Sequence, residues 1–282
     1  MKLGVHIFPT EYSMQPDELA KAVEERGLES LWFSEHTHIP VRFLESEQGS
    51  SLPDYYWQTY DLFVAMTTAA AVTKEIKIAS GVSLVIEHDT ILIAKEAASL
   101  DVISKGRFLF GVGAGWLEGE MADHGVAYRT RFQLLTEQIT AIKAIWTTEE
   151  SEFHGRFVSF DKMKAFPKPF QQPHPPIIMG GEGERALECA AEICDGWAPW
   201  CLEWQQGREK IAQLRRLAEA KGRDPDSLEI SFFEKSIPGE KLLAEMEAAG
   251  ISRCILTLFA QTREDALPRL EQLAKINSAW NA

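Results

Sequence analysis

The chain has 282 residues, 45% hydrophobic and 25% charged, with 42 acidic against 29 basic side chains and a formal net charge of −13. This is the balance of a soluble globular protein, long enough for one barrel-sized domain. Its acidity disfavours nucleic acid and anionic membrane as partners, because both are held mainly by Lys and Arg.

The cysteines at 189, 194, 201 and 254 form neither a CxxC pair nor a regular zinc spacing, so reduced thiols in a cytoplasmic protein are expected. No apolar run reaches the roughly 18 residues needed to cross a bilayer. Met1-Lys-Leu-Gly-Val-His-Ile-Phe leads directly into a strand rather than an apolar leader, so no signal peptide is expected.

Leu3 to Phe8 reads as a first strand. Pro16 to Arg26 follows as a helix, with Pro and two acids at its start and Gly27 at its end. Ser30 to Ser34 is a second strand, running into Glu35-His36-Thr37-His38. Residues 41–58 have no periodicity and form a long loop of the kind that closes over ligands. Helix 60–73, strand 76–82 and helix 90–103 come next. Phe108 to Val112 is a fourth strand, opening into Gly113, Gly115 and Trp116. Helix 131–146 places Phe132, Leu135, Ile139 and Ile142 on one face.

Around residues 150–176 the alternation breaks, with a hairpin signal at Phe153 to Phe157 and five prolines from Pro167 to Pro176. It resumes with strands 177–179, 196–199, 228–232 and 254–258, separated by helices 185–194, 204–221 and 241–249 and closed by helix 263–276. Eight strand–helix alternations imply parallel strands. In this length they fit a single-domain (β/α)8 TIM barrel over 1–282, with an insertion around 150–176.

In such a barrel the loops after the strands carry the chemistry. Glu35, His36 and His38 are metal-ligand types, but no further convergent ligand is evident and no metal is expected. An acid–base role suits His36 better, with Glu35 orienting it. His38 is either a pocket residue or a polar cap on the strand end. Gly180-Gly181-Glu182-Gly183 before a helix can hold a phosphate on free backbone N–H groups, or be a plain tight turn. Gly111-Val-Gly-Ala-Gly115 lacks the third glycine of a dinucleotide fingerprint, which excludes a Rossmann site. Trp197 and Trp200 can line a pocket or pack in the core. Alternate glycines at 111, 113 and 115 leave room for a ligand against the strand end.

Five segments together resemble the luciferase-like monooxygenase superfamily: Trp32 to His36, Ala98 to Arg107, Gly111 to Trp116 with Glu120 nearby, Pro176 to Gly181, and Asp195-Gly-Trp197. They lie in register over about residues 1–275, and the sequence is most similar to the branch dependent on coenzyme F420. The resemblance implies a deazaflavin, or alternatively FMN, at the mouth of the barrel. It implies a non-proline cis peptide at Ser83-Leu84, a ring wall at Gly113, Gly115 and Trp116, and a phosphate loop at Met179 to Gly183. Trp116 stands where sugar-phosphate dehydrogenases of this branch carry a catalytic Glu, which argues against that chemistry. The implied activity is hydride transfer to or from a small organic substrate. The alternatives are an FMN-dependent monooxygenase supplied by a separate reductase, or a non-catalytic flavin-binding barrel. Relatives of this kind are often homodimers.

Overall fold

The computed structural model describes residues 1–200 and 202–280, so Cys201 lies outside the described residues. In chain order the elements are β1 (Lys2–Ile7), α1 (Pro16–Glu25), β2 (Ser30–Phe33), α2 (Val41–Leu44), α3 (Leu62–Val72), β3 (Lys77–Ser80), α4 (Thr90–Ile103) and β4 (Phe108–Val112). They continue with α5 (Glu118–Asp123), α6 (Arg131–Thr147), β5 (Ser151–His154), β6 (Ser159–Met163), β7 (Ile177–Gly180), α7 (Glu184–Ile193) and β8 (Gly196–Ala198). The last are α8 (Trp204–Ala220), β9 (Glu229–Glu234), α9 (Glu240–Ala248), β10 (Arg253–Thr257) and α10 (Arg263–Trp280).

Eight parallel strands close in the order β1-β10-β9-β8-β7-β4-β3-β2, which makes the expected (β/α)8 barrel. Closure is direct: β1 pairs with β10 at Leu3↔Cys254 and with β2 at Val5↔Leu31. The strands are short apolar runs because helices cover them outside and side chains fill them inside; β4 and β10 are buried at every residue. Trp32, Ala79, Leu109, Ile178, Phe233 and Ile255 belong to the layer inside the barrel. At its lower end Arg253 is buried, donating to Glu29, Glu229 and Ser231.

Local chemistry sets the helix starts. Asp61 caps α3 by accepting from the Val64 N–H, and Asp89 caps α4 by accepting from Ile91 and Leu92. The insertion is an antiparallel hairpin of β5 and β6, tied to α6 where Glu137 accepts from the backbone of Arg156, Phe157 and Val158. Residues 41–58 are more ordered than a plain loop. They contain α2 and single turns of 3-10 helix at 49–51 and 54–56.

Candidate active site

A cavity of about 340 Å³ opens at the C-terminal ends of the strands. Glu35, His36, Leu84, Gly113, Gly115 and Trp116 line it, as do Met179, Gly180, Gly181, Glu182 and Trp200. Phe8, Tyr56, Phe132 and Phe233 make the rest of its wall largely aromatic. Trp116 is 46% exposed, so it forms a rim rather than core. It packs on Phe43 of α2 at 5.7 Å and on His36 at 5.9 Å between ring centroids, while Tyr56 meets His36 at 5.1 Å.

The neighbour that orients His36 is not the one expected. Its Nδ1–H donates to Glu120 Oε2 at 2.7 Å, and the Thr37 N–H donates to Glu120 Oε1 at 2.9 Å. Both side chains are buried. Glu35 turns away. It accepts from the Leu84 N–H at 2.6 Å, Ser83 Oγ at 3.1 Å and His88 Nε2 at 2.8 Å, tying the end of β2 to the turn after β3. Burial acts to raise the Glu35 pKa, but the bonds from His88, Leu84 and Ser83 outweigh it and hold the carboxyl below its ordinary range. The same pair raises His88 against its own burial. The reason for the difference is that successive side chains leave an extended segment on different sides, so Glu35 and His36 meet different partners although both reach the cavity wall.

Three further expectations need correction. The non-proline cis peptide is at Gly81-Val82, two residues before the expected Ser83-Leu84. Trp197 is fully buried and does not line the cavity; its Nε1–H donates to the Gly181 carbonyl at 2.7 Å and so pins the glycine loop. His38 also lies off the cavity, with Nε2 3.0 Å from Asp123 Oδ2. Ser83 and Gly183 stand beside that lining: Ser83 supports Glu35, and Gly183 ends the glycine loop as the residue before α7.

The glycines serve the barrel before they serve a ligand. A Cβ at Gly111 would stand 1.9 Å from the Ser80 carbonyl, so β3 and β4 close only on glycine. At Gly113 and Gly180 a Cβ would meet the Val82 methyls at 2.7 and 2.8 Å. Val82 therefore fills the space that the sequence left open, and its side chain makes part of the cavity's apolar lining.

Three ionisable groups near the cavity had no assigned role in the sequence. Glu87 has both carboxyl oxygens buried and unpartnered; burial, then the charges of Glu120 and Glu35, push its pKa up to about 9. His124 Nε2 lies 2.7 Å from Thr37 Oγ and 3.9 Å from Glu87 Oε2. His6 is pushed down to about 3 by burial. Ser34 donates to the Gly81 carbonyl, so His6 Nε2 is the donor to Ser34 at 2.8 Å. Glu87 lies in a single turn of 3-10 helix after β3, His6 inside β1 and His124 at the end of α5, and only folding brings them near.

Comparison with known proteins agrees with this architecture. A model of the luciferase-like monooxygenase family matches residues 15–282. An uncharacterized protein of Mycobacterium tuberculosis is 34% identical over 279 residues, covering 97% of this chain and 98% of that one. The FMNH2-dependent dimethylsulfone monooxygenase of Pseudomonas putida is 34% identical over 134 residues, 46% of this chain and 37% of its own. Among solved structures, monooxygenase RslO1 from Streptomyces bottropensis superposes over 100% of both chains with a TM-score of 0.79 at 19% identity. An F420-dependent secondary alcohol dehydrogenase does so over 97% of this chain and 98% of its own, with a TM-score of 0.75 at 16% identity. At those identities the structures speak for the fold alone. The family match and the full-length relative establish that this chain belongs to the luciferase-like monooxygenase family and is an enzyme of its oxidoreductase and monooxygenase kind.

Proposed function

We propose that the chain binds the deazaflavin coenzyme F420 in this cavity and catalyses hydride transfer to or from a small organic substrate. The observation that carries the reading is His36. Glu120 occupies its Nδ1, which leaves Nε2 as the nitrogen available on the cavity wall. The cavity suits a planar group, because Val82 adds apolar lining between Gly113 and Gly180, and the aromatic walls stand around it. F420, when bound, supplies the hydride at C5 of its ring.

The chain's own residues do the rest. Backbone N–H groups of Gly181 to Gly183, at the start of α7, bind a phosphate, and Trp197 holds that loop in place through the Gly181 carbonyl. Trp116, Tyr56 and Phe43 of the 41–58 segment keep water from the reacting face. His36 Nε2 gives or takes the proton at the substrate heteroatom, with Glu120 fixing the ring. Glu35, which lines the same wall, stays ionised and braces the turn that carries Leu84.

FMN is the second reading, supported by the similarity to an FMNH2-dependent monooxygenase; it brings a separate flavin reductase as partner. Side-by-side fluorescence titrations with F420 and FMN test both. F420 is expected to bind with Kd below about 100 μM. FMN binding with no F420 binding overturns the first reading, and absence of both overturns a cofactor role for this face. With a turning-over substrate in hand, His36→Asn is expected to lower kcat by about 10²–10⁴-fold without abolishing cofactor binding. An unchanged kcat removes His36 from the mechanism.

A further inference from the structure

Behind His36 a chain of side chains leads out of the cavity wall. It starts at Nδ1, 2.7 Å from Glu120 Oε2. The other carboxylate oxygen is 3.4 Å from Thr37 Oγ. That hydroxyl lies 2.7 Å from His124 Nε2 and 2.9 Å from His38 Nδ1, and His38 Nε2 reaches Asp123 at 3.0 Å. Side-chain exposure rises along the path, from 1% at Glu120 to 28% at His124 and 38% at His38. Holding His36 in place needs only Glu120; the hydroxyl and two imidazoles beyond it do nothing for that task.

We propose that Glu120, Thr37 and His124 form a proton relay that connects His36 to solvent through the rear wall of the cavity. The inference rests on the reading of His36 as the acid–base group. Once cofactor and substrate fill the cavity, water no longer reaches Nε2 from the front, and protons must arrive from behind.

The transfer balances. As His36 Nε2 gains a proton in the cavity, its Nδ1–H bond breaks and an O–H bond forms at Glu120 Oε2. A half-turn of the carboxyl brings that proton to Thr37. It bonds to Oγ while the former Thr37 hydroxyl proton bonds to His124 Nε2, and His124 releases its Nδ1 proton to water. One proton enters and one leaves, and the reverse sequence delivers a proton to the cavity.

The surroundings suit the task. Burial, then the charge of His38, holds His124 below the ordinary histidine range, so it rests neutral and can take a proton passed on by Thr37. The other titratable groups facing the path are Glu35, Glu87, His38, His88 and Asp123. Glu87 Oε2 stands 3.9 Å from His124 Nε2 and rests protonated, so it adds no anion that would trap the proton there.

The test needs no cofactor. In protein labelled with 15N-histidine, the exchange of the His36 Nδ1 proton with water is followed by NMR. Thr37→Val keeps the backbone N–H that binds Glu120 but removes the hydroxyl. It is expected to slow the exchange at least about tenfold, and Thr37→Ser to restore it. Exchange as fast in Thr37→Val as in wild type, or equally slow in Thr37→Ser, overturns the relay. Failure of F420 and FMN to bind overturns the preceding reading by a different measurement and leaves this exchange result intact.

Discussion

Two glutamates near one cavity wall have opposite fates, and hydrogen-bond donors decide which. Glu35 collects three donors and stays ionised; Glu87 collects none and keeps its proton to about pH 9. The second case has a consequence for stability. The unfolded chain releases the Glu87 proton near pH 4.5, whereas the folded chain holds it to about 9. Between those values the folded state binds one more proton, so stability falls as pH rises through the window. Glu87→Gln removes that slope. Its melting temperature is expected to exceed that of wild type at pH 8, on the order of 5 °C, and to match it at pH 4. Equal melting temperatures at both pH values would mean that Glu87 is ionised in the folded protein. The composition of the Glu35–His38 run made His36 a natural acid–base choice, but its partner comes from α5, 84 positions away. No local pattern encodes such a pairing.

Among elements, the ends of β3 and β4 set the shape of the site. Ser80 and Gly111 come within a distance that only hydrogen at Cα permits. Gly111→Ala must part the two strands, with an expected loss of about 3 kcal/mol in urea denaturation. A loss below about 0.5 kcal/mol, the range of an ordinary surface change, would show that the strands part freely. Helix α1 was legible because its signals are local: Pro16 and two acids open it and Gly27 follows its end. The hairpin of β5 and β6 showed for the same reason, through its turn. The short turns within 41–58 did not, because their order comes from packing rather than periodicity. Phe43 rests on Trp116, and Tyr56 on His36. Trp197 shows the limit of composition as a guide, since a tryptophan at a strand end suits a pocket and a core equally. Here its ring is buried and only its Nε1–H reaches the loop below the cavity.

At the scale of the molecule, α3 and α4 leave an apolar surface. Val64 is 64% exposed and Leu92 53%, with Val72, Val102 and Ile103 also exposed on the same two helices. No described helix is long and apolar enough to cross a membrane. The sequence by itself determined the barrel, because eight short apolar runs alternating with helices admit few other ways to bury both faces of every strand. It also pointed to His36 and the glycine loop, since each is a contiguous run at a strand end. The tertiary structure alone decided that Glu120 holds His36, that Val82 rather than a ligand fills the space beside Gly113 and Gly180, and that Glu87 stays protonated. Each of these depends on side chains from different loops meeting where water is excluded, and burial and distance there outweigh anything that residue type or spacing can encode.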